Sequence, residues 1–529
     1  MQKRARPTRR PQASFRTSPT GSRPSLWRVE RSVYDRHRPI RTFMIARRRT
    51  LALLALSILG ISLAWPHRRE ILEFLAPPEA DYVEDQSLTE GYGRASADLS
   101  AAWSVPLEPG YGSAVVFDRE AYVLDREIGV GETLRVIDIL DGAPLWTFTY
   151  PEPGRLQSAG SRTAPAVSER SVFLCSGFGT VHCVDRATRT ATWRRHLVDD
   201  LGGEMPDFGY SADPLLSGDL VILPALGEST GLVALDQGTG EVRWRTPGVG
   251  TSQSQPVLMT LRGEEFLLFI SCDAQGAGEN SPAPVLISAF NPRTGTLRWQ
   301  RQTLLTNVPV PPPVAVDETR FVITGGYAGG TTLMNLGRSN AGEFQVSEDF
   351  HIEKGSQLHP PVVVGEHIYL LANENTNVSR LRRGQGGLRC FDLEGEEQWS
   401  TGRDPYFGRG HMIQVGPYLL IQDGMSGILR LCVASPDRYQ QVVTANVFES
   451  PPKERKRMWG RIAGWNGTLV LRGDRELVGV FLGGAPPGAR RAGAQQTGDR
   501  QAPAGAPAGA PAGAPAQAPS QAGSGELDR

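Results

Sequence analysis

Short apolar runs alternate with Asp- and Gly-containing turns along most of the chain, and the pattern recurs about every fifty residues. In each clear copy an apolar run ends in Asp or Asn, a Gly usually follows, and a Trp comes seven or eight residues after the Asp or Asn. The five clear copies are residues 134–146, 181–193, 232–244, 286–299 and 388–399. A constant period of this length indicates a repeat architecture, in which each repeat is one structural unit.

Each copy predicts a β-hairpin. The apolar run forms one strand, the Asp side chain accepts backbone N–H groups in the turn, the Gly adopts a left-handed conformation, and the second strand carries the Trp. A further pair of strands, such as residues 164–174, precedes each hairpin. Four short strands per repeat predict an all-β propeller with a Trp packed between blades. The alternative, a single sandwich core, does not explain the constant turn-to-Trp distance.

The repeats predict an eight-bladed propeller of four-stranded blades. Seven hairpins are assigned by their aromatic residues: Trp146, Trp193, Trp244, Trp299, Phe344, Trp399 and Tyr439. The eighth blade is expected to combine strands within 461–482 with an N-terminal strand carrying Trp103, which closes the ring. Arg189 stands where other copies have the turn Gly, at a cost of about 1 kcal/mol if the left-handed geometry is kept.

A set of Trp, Asp, Asn and Gly residues is predicted to join each blade to its neighbour. The Trp residues supply flat surfaces between blades, while the turn residues shape the hairpins. The predicted joining residues are Trp103, Trp146, Trp193, Trp244, Trp299, Trp399, Asp138, Asp185, Asp236, Asn291, Asp392, Gly142, Gly240, Gly295 and Gly395.

The motif Ala/Val-x-Asp-x-x-Thr-Gly-x-x-x-Trp resembles the repeat of the quinoprotein, or PQQ-like, β-propellers. The resemblance covers about residues 100–483. That family includes PQQ-dependent alcohol dehydrogenases and also non-enzymatic members, such as the lipoprotein subunit of the outer-membrane β-barrel assembly machinery. The resemblance implies eight blades, but it does not by itself imply a reaction.

Catalytic motifs are not evident in the sequence. The enzymes of the family typically have adjacent cysteines above the cofactor, Ca²⁺ ligands and a catalytic Asp; this chain has no Cys-Cys dipeptide. We therefore assign no catalytic, cofactor-binding or metal-binding residue. Cys175 and Cys183 could form a disulfide, although free thiols in the core are favoured for all five cysteines. His351 and His359 are interpreted as loop residues rather than metal ligands.

The lengths of the connections predict that one face of the ring is the working surface. The first and third connections of each blade are tight, whereas the second connections and the links between blades hold the long stretches. These long stretches are expected at 147–162, 194–211, 271–284, 300–311, 345–358, 372–387, 400–411 and 440–460.

Charged residues in these stretches form the candidate partner-binding surface. The acidic candidates are Asp199, Asp200, Glu204 and Asp207, and the basic candidates, about half a ring away, are Arg380, Arg382 and Arg383. A second basic group, Lys453, Arg455, Lys456, Arg457 and Arg461, lies in the last link. We expect one side of the face to be acidic and the opposite side basic. The alternative is that these are ordinary solvated loop charges.

The two ends of the chain differ in composition from its middle. Residues 1–46 are basic and are predicted to be disordered, while 47–66, an apolar run behind three arginines, is predicted to be a signal-anchor helix, with a cleaved signal peptide as the alternative. A linker is predicted at 67–99 and a flexible Ala/Pro/Gly-rich tail at 484–529. Met44 begins an ordinary signal-like sequence, so we expect translation to start there.

The sequence as a whole predicts a single-pass membrane protein with its propeller on the periplasmic side. Residues 1–49 carry 15 Lys/Arg and 2 Asp/Glu, so the remaining chain, with 41 basic and 54 acidic groups, has a net charge of −13 and is not expected to bind nucleic acid. The leading hypothesis is a non-catalytic scaffold that binds a protein partner in the cell envelope. The alternatives are a PQQ-dependent dehydrogenase or ligand-binding relative, and a sensor that signals through the basic segment.

Overall fold

The computed structural model describes residues 99–273, 282–372, 386–402, 404–448 and 458–482. All regular elements in these ranges are β-strands. No helix in the described part of the chain could cross a bilayer. The predicted segments 1–46, 47–66 and 484–529, and the predicted linker 67–99 except for Leu99, lie outside the described residues.

The strands form eight four-stranded antiparallel sheets, which confirms the prediction of an eight-bladed propeller. The first strand, β1 (Ala101–Pro106), belongs to the last blade. Blade 1 contains β2 (Val115–Phe117), β3 (Glu120–Glu127), β4 (Gly131–Asp138) and β5 (Pro144–Tyr150). Blade 2 contains β6 (Ala166–Val167), β7 (Ser171–Cys175), β8 (Thr180–Asp185) and β9 (Thr190–His196). Blade 3 contains β10 (Leu215–Ser217), β11 (Leu220–Pro224), β12 (Leu232–Asp236) and β13 (Val242–Arg245).

The remaining blades follow the same order. Blade 4 contains β14 (Val257–Leu261), β15 (Glu264–Ser271), β16 (Pro284–Phe290) and β17 (Leu297–Leu304). Blade 5 contains β18 (Val314–Ala315), β19 (Arg320–Gly325), β20 (Gly330–Arg338) and β21 (Phe344–Ile352). Blade 6 contains β22 (Val362–Val364), β23 (His367–Leu371), β24 (Leu388–Asp392) and β25 (Glu397–Ser400). Blade 7 contains β26 (His411–Val415), β27 (Tyr418–Gln422), β28 (Leu429–Val433) and β29 (Gln441–Ala445). Blade 8 contains β30 (Ala463–Trp465), β31 (Thr468–Arg472) and β32 (Glu476–Phe481), with β1 as its outer strand.

The four strands of a blade, named A to D in order, differ in burial. The second and third strands are nearly continuous apolar runs because both faces of each blade pack against a neighbouring blade. The fourth strand alternates, with Trp244 buried between exposed neighbours in β13. The first strands of adjacent blades contact one another, as β2 contacts both β30 and β6, so the A strands line the axis of the ring.

The two ends of the described chain close the ring in blade 8, as predicted. β1 pairs with β32, and Trp103 lies opposite Gly479. Arg472, at the end of β31, is fully buried and reaches into blade 1 and the link before it. Its guanidinium donates to the carbonyl oxygens of Leu124 at 2.7 Å, Gly112 at 3.1 Å and Glu108 at 3.3 Å. Burial lowers the pKa of Arg472 to about 10.

Each C–D strand pair contains a register shift at the same place, and this shift corrects two of the predicted aromatic positions. Trp146, Trp193, Trp244, Trp299 and Trp399 all pair with the third-strand residue just before the shift. In blade 5 that position is held by Phe350, not Phe344, and in blade 7 by Val443, not Tyr439. The prediction was wrong there because β21 begins earlier than its counterparts and Tyr439 lies before β29.

The Trp of one blade lies on the C–D turn of the next. The indole Nε1 donates to the carbonyl of the residue immediately after the turn Asp or Asn in three blades: Trp103 to Ile139 at 2.8 Å, Trp193 to Gln237 at 2.9 Å, and Trp244 to Pro292 at 3.2 Å. Trp399 donates to Ser435 at 2.9 Å. Trp299 packs against Phe266 and Phe321, but its Nε1 has no hydrogen-bond partner among the described residues, because blade 5 has a different turn.

The turn glycines lie directly under these rings. A Cβ added to Gly142 would be 2.9 Å from Trp103, and one on Gly240 or Gly295 would be 2.6 Å from the indole of the preceding blade. All three have positive φ. Gly395 has the same relation to Phe350, at 3.0 Å, which agrees with the corrected position. Arg189 keeps the left-handed geometry with φ +62°.

The Asp and Asn side chains shape the same turns. The Oδ1 atoms of Asp185, Asp236 and Asn291 each accept the backbone N–H groups of the residues two and three positions later, at 2.8–3.2 Å. These hydrogen bonds hold the pKa values of Asp185 and Asp236 below the usual range. Asp138 accepts the backbone N–H of Leu140 and the Nε–H of Arg119, and Asp392 accepts the backbone N–H groups of Glu394 and Glu396.

The connections separate onto two faces because the strands of each blade alternate in direction. The short-turn face carries the A–B and C–D turns, which have two to seven residues. The long-connection face carries the B–C turns and the links between blades. The links are 107–114, 151–165, 197–214, 246–256, 305–313, 353–361, 401–410 and 446–462. Several predicted stretches began too early: residues 345–352 belong to β21, and 147–150 and 300–304 belong to β5 and β17.

Replacing Gly295 by Ala should destabilise the protein by about 2–4 kcal/mol. About 1 kcal/mol comes from a left-handed φ of +67°, and the rest from the clash with Trp244. Gly218→Ala is the matched control, because Gly218 has φ +58° with open space around it and should cost only about 1 kcal/mol. Urea unfolding followed by far-UV circular dichroism measures both, and equal losses would contradict the proposed ring contact.

Replacing Arg472 by Met should lower the free energy of unfolding by about 3 kcal/mol, since three backbone carbonyls at the closure lose their donor. Arg475→Met provides the control: its side chain is 67% exposed and its ion pair with Glu108 is long, at 4.0 Å, so a change within about 0.5 kcal/mol is expected. A small effect of Arg472→Met would show that the β1–β32 pairing alone holds the ring closed.

Candidate functional site at the axis of the ring

The links on the long-connection face enter the A strands at equivalent positions in all eight blades. Strand register places two side chains per blade at the entry, two residues apart and therefore on the same side of an extended chain. The first tier, nearer the strands, consists of Ser113, Ala164, Asp213, Gln255, Pro312, Pro360, His411 and Arg461. The second tier consists of Tyr111, Arg162, Ser211, Gln253, Val310, Leu358, Arg409 and Trp459.

Arg461 spans the axis within the first tier. Its Nη1 donates to Gln255 Oε1 at 2.9 Å, and its Nη2 forms a close ion pair with Asp213. Gln255 precedes blade 4, which is diametrically opposite blade 8, so this side chain crosses the whole ring. The Arg461 backbone N–H donates to Ser113 Oγ, and Asp213 Oδ1 accepts the N–H of Ala164 at 2.6 Å. The centre of this face is therefore filled by a hydrogen-bonded brace made of the chain's own side chains.

Two buried histidines lie beside the brace. The rings of His359 and His411 are 4.6 Å apart, and His411 Nδ1 accepts the N–H of Ile462. Burial, together with the positive charge of Arg461, lowers the pKa of His359 to about 3; burial, His359 and Arg461 lower that of His411 well below its usual value. Both rings are neutral at neutral pH. They pack beside the Arg461 guanidinium without competing with it for Asp213.

One half of the second tier is a row of alternating cationic and aromatic side chains. The Arg409 guanidinium lies 5.4 Å from the Trp459 ring centre, and Trp459 stacks on Tyr111 with centroids 5.2 Å apart and an interplanar angle of 28°. Arg162 lies 5.9 Å from the centre of the Tyr111 ring. The four residues come from four consecutive links. We call this half of the tier the cation–aromatic row.

The other half of the second tier has a different character. Ser211 donates to Gln253 Oε1 at 2.5 Å, and the tier continues with Val310 and Leu358. Polar and apolar uncharged side chains thus face the cation–aromatic row across the brace. The second tier is asymmetric in charge although the backbone around it repeats eightfold.

The predicted acidic candidates lie on the long-connection face, in the link 197–214. Asp199, Asp200, Glu204 and Asp207 are all exposed. The Asp199 carboxylate is 3.3 Å from His196 Nδ1, and Asp200 accepts the His196 backbone N–H at 2.7 Å.

The basic candidates are only partly described. Arg380, Arg382 and Arg383 lie outside the described residues, so the expected division of the face into acidic and basic sides stays a prediction. Arg461 was grouped with the basic residues of the last link, but it lies at the axis and is paired with Asp213.

Other predicted residues lie away from the axis. The five cysteines are free and buried; Cys175 pairs with Val181 in the sheet, and Cys183 with Phe173, so no Cys175–Cys183 bridge forms. His351 is on β21, not in a loop, and its Nδ1 is 2.8 Å from Thr332 Oγ1. His359 is in a link, as expected, although it is buried. Among the described residues no group of three or more His, Cys, Asp or Glu side chains is placed to hold a metal ion.

A pocket lies at the outside of the ring, between the outer strands β17 and β21. Its volume is about 540 Å³. Leu304, which is 58% exposed, lines it together with Pro282, Pro284, Gln302, Thr303, Glu348 and His351. Thr303 donates to Glu348 across the two blades at 2.7 Å. The pocket is remote from the tiers and adds an exposed apolar residue to the rim of the long-connection face.

Neither the brace nor the two tiers was predicted from the sequence. A usable signal was present: five of the eight A strands are preceded by Pro, at Pro165, Pro214, Pro256, Pro313 and Pro361, which marks the entry position. The residue before that Pro is Asp213 in blade 3 and Gln255 in blade 4, the two partners of Arg461.

Comparison with protein families gives one match. A family model described as outer membrane protein assembly factor BamB, built on PQQ-type repeats, matches residues 130–386. Together with the eight-bladed fold, it confirms the predicted relationship to the PQQ-repeat propellers. No protein with a curated description matches the sequence.

Solved structures with a similar fold include BamB and two alcohol or methanol dehydrogenases. BamB from Moraxella catarrhalis is 16% identical, with a TM-score of 0.49, covering 73% of this chain and 98% of that one. A quinohemoprotein alcohol dehydrogenase from Comamonas testosteroni is 14% identical, with a TM-score of 0.47, covering 73% and 77%. A europium-containing methanol dehydrogenase is 12% identical, with a TM-score of 0.46, covering 73% and 94%.

The stability of the protein should fall as the pH drops below about 6.5, because the unfolded chain binds protons on His359 and His411 that the folded protein excludes. Each of these histidines contributes a loss of about 1.4 kcal/mol per pH unit between pH 6.5 and its folded pKa, and its own contribution is fully present above pH 6.5. Glu132, whose pKa burial raises to about 7, acts in the opposite direction in this range. Urea unfolding at pH 7.0, 5.5 and 4.5 measures this.

His359→Asn should reduce that slope by about 1.4 kcal/mol per pH unit, whereas His367→Asn, at a half-buried position on β23, should leave it unchanged. An unaltered slope in His359→Asn would show that other groups cause the acid sensitivity.

Proposed function

Because the chain is a PQQ-repeat β-propeller, we propose that it is a non-catalytic scaffold that binds protein partners in the cell envelope through its long-connection face. The observation that carries the proposal is the brace: Arg461, Asp213 and Gln255 fill the centre of that face. The surface left for recognition is the surrounding set of links. The description of the matching family, an outer membrane protein assembly factor, supports an assembly role.

The composition of the long-connection face supports protein binding. Exposed apolar side chains occur at several points around it: Ile128 and Val130 are 49% and 55% exposed in blade 1, and Met205 is 48% exposed in the link after blade 2. Met205 lies among the acidic candidates of the same link. Apolar side chains bordered by charged ones, carried on a rigid scaffold, are typical of protein-binding surfaces.

The proposal includes a membrane tether. Residues 47–66 combine three arginines with an apolar run, so we infer that they anchor the chain with its acidic main body on the periplasmic side. A scaffold tethered in this way meets partners that are themselves held at the membrane, which raises their effective concentration.

The axis does not fit the quinone cofactor that the family relationship suggests. PQQ is a planar tricarboxylate, and placed on the axis at the first tier it would have to displace the Arg461 side chain. That displacement would break the bonds to both Gln255 and Asp213 and leave the mostly buried Asp213 carboxylate without its cation. We therefore derive no reaction through this group.

Site-specific photocrosslinking tests the proposed face. A photoreactive amino acid at Met205 or Ile128, both exposed on the long-connection face, should give crosslinked adducts with envelope proteins in growing cells. The matched controls are Arg170 and Glu366, exposed in A–B turns of the opposite face, which should give none. Adducts only from Arg170 or Glu366, or from none of the four positions, would contradict the proposal.

A further inference from the structure

Exposed and half-buried apolar side chains form a patch over blade 2 on the long-connection face. We call it the Leu156 patch, and it consists of Pro153, Leu156, Phe178, Met205 and Phe208. These residues come from the two links on either side of blade 2 and from its B–C turn. Met205 is 48% exposed. The Arg126 guanidinium lies 4.7 Å from the ring centre of Phe178 and helps to hold that ring in place.

Close packing against glycines connects the members of the patch. A Cβ added to Gly154 would be 2.8 Å from Phe178, and one added to Gly177 would be 2.6 Å from Leu156. Leu156 also reaches the second link, because a Cβ on Gly209 would lie 3.1 Å from its methyl groups. Leu156 therefore bridges the preceding link, the B–C turn of blade 2 and the following link.

The second link, 197–214, is fixed in place by hydrogen bonds. The Tyr210 N–H donates to Gly177 O at 2.9 Å, and the buried Tyr210 hydroxyl lies 3.0 Å from the carbonyl oxygens of Glu204 and Ala225. The Glu204 N–H donates to the same Ala225 carbonyl at 2.9 Å. A patch built on such a link is ordered in the free protein, which lowers the entropy lost on binding.

One side of the patch is bordered by negative charge. Residues 197–242 contain nine Asp or Glu and no Lys or Arg. Four of these acids are exposed in the link that carries Met205: Asp199, Asp200, Glu204 and Asp207. Glu228 is exposed in the B–C turn of blade 3, whereas the link on the other side of the patch carries an exposed arginine, Arg155. A border of this kind favours a positively charged partner over a neutral or acidic one.

We propose that the Leu156 patch binds a basic amphipathic segment of the envelope partner. The apolar side chains of the segment lie on the patch, and its Lys or Arg side chains pair with the exposed carboxylates around Met205. This inference rests on the proposed scaffold function and specifies the chemistry of the partner. Methionine suits such a site because its unbranched thioether adapts to apolar groups of different shape. A second copy of this chain fits poorly, because its own patch carries the same negative border.

Isothermal titration calorimetry of the purified full chain tests the proposal with a blocked heptapeptide in which Lys alternates with Leu and Phe. The wild-type protein should bind this peptide, and the affinity should fall as salt is added. Two matched peptides should not bind. One has Glu in place of Lys and therefore has the wrong charge, and the other has Ser in place of Leu and Phe and therefore lacks the apolar side chains.

Variants separate the charged from the apolar contribution. The double variant Glu204→Gln/Asp207→Asn should weaken binding by a factor of about ten at low salt, because two carboxylates at the border are lost. Met205→Ser should weaken binding about five- to tenfold, because the peptide then covers less apolar surface. Urea unfolding checks that these variants are folded.

Matched control variants lie away from the patch. Glu394→Gln/Glu396→Gln removes two exposed carboxylates from a C–D turn of the opposite face, and Leu297→Ser removes a 47% exposed apolar side chain from β17. Both controls should leave the affinity unchanged. If they weaken binding as much as the patch variants do, the peptide recognises only the overall acidity of the protein, and the proposal is wrong.

A photoreactive Phe analogue in the same peptide locates the binding site. After irradiation, mass spectrometry should find the adducts on residues 151–165, 176–179 or 197–214. Adducts mainly elsewhere, equal binding of the Glu peptide, or no binding by the wild type would overturn the proposal. The last result is also the one expected if a second copy or another segment of this chain covers the patch.

The failure of this inference can be told apart from the failure of the proposed function. If adducts with envelope proteins form in cells from Ile128 or Met205 while the basic peptide does not bind, the scaffold function stands and the partner has other chemistry. If the peptide binds at the Leu156 patch but no cellular adducts form on the long-connection face, the patch is a binding site and the envelope function is wrong.

Discussion

The contact between an indole ring and a glycine Cα is the interaction on which this ring depends. The Trp at the end of one blade rests on the turn Gly of the next and donates to a carbonyl of the same turn, as Trp193 does with Gly240 and Gln237. At Gly142, Gly240 and Gly295 a Cβ would clash with the ring, and the positive φ of these positions also favours glycine. The carboxylate of Asp236 shapes the turn that contains Gly240. Repeating this joint sets the spacing of the blades.

The first and last blades must also be joined to close the ring, and two arginines near the end of the described chain make long-range contacts in the closed ring. Arg472 donates to three backbone carbonyls of blade 1 and its preceding link, while Arg461 crosses the axis to blades 3 and 4. Arg472 belongs to the last blade and Arg461 to the link that precedes it, so these hydrogen bonds form only when the ring is complete. Long-range contacts of this kind exist only in the closed ring, and they make its axis rigid. The surrounding links are therefore attached to a rigid scaffold.

The same arrangement gives the long-connection face varied chemistry on a repeated backbone. The backbone positions that precede the eight A strands are equivalent, and together they carry the sixteen side chains of the two tiers. The backbone positions repeat around the ring, but the residue types at them do not. One half of the second tier is cationic and aromatic, the other uncharged. The exposed acidic residues of the link 197–214 and the row around Arg162 thus give different parts of the long-connection face opposite charge.

The eightfold all-β architecture and its closure by Trp103 could be predicted from the sequence, because the Asp, Gly and Trp of each hairpin lie within eight residues of one another and their spacing is visible in the chain. The positions of Phe350 and Val443 could not, since they depend on a register shift between paired strands. The brace was equally hidden: Arg461 and Asp213 are 248 residues apart. Sequence spacing reveals interactions between residues that are close in the chain. Residues at the axis come together only when the ring closes, so their contacts are decided by the tertiary structure alone.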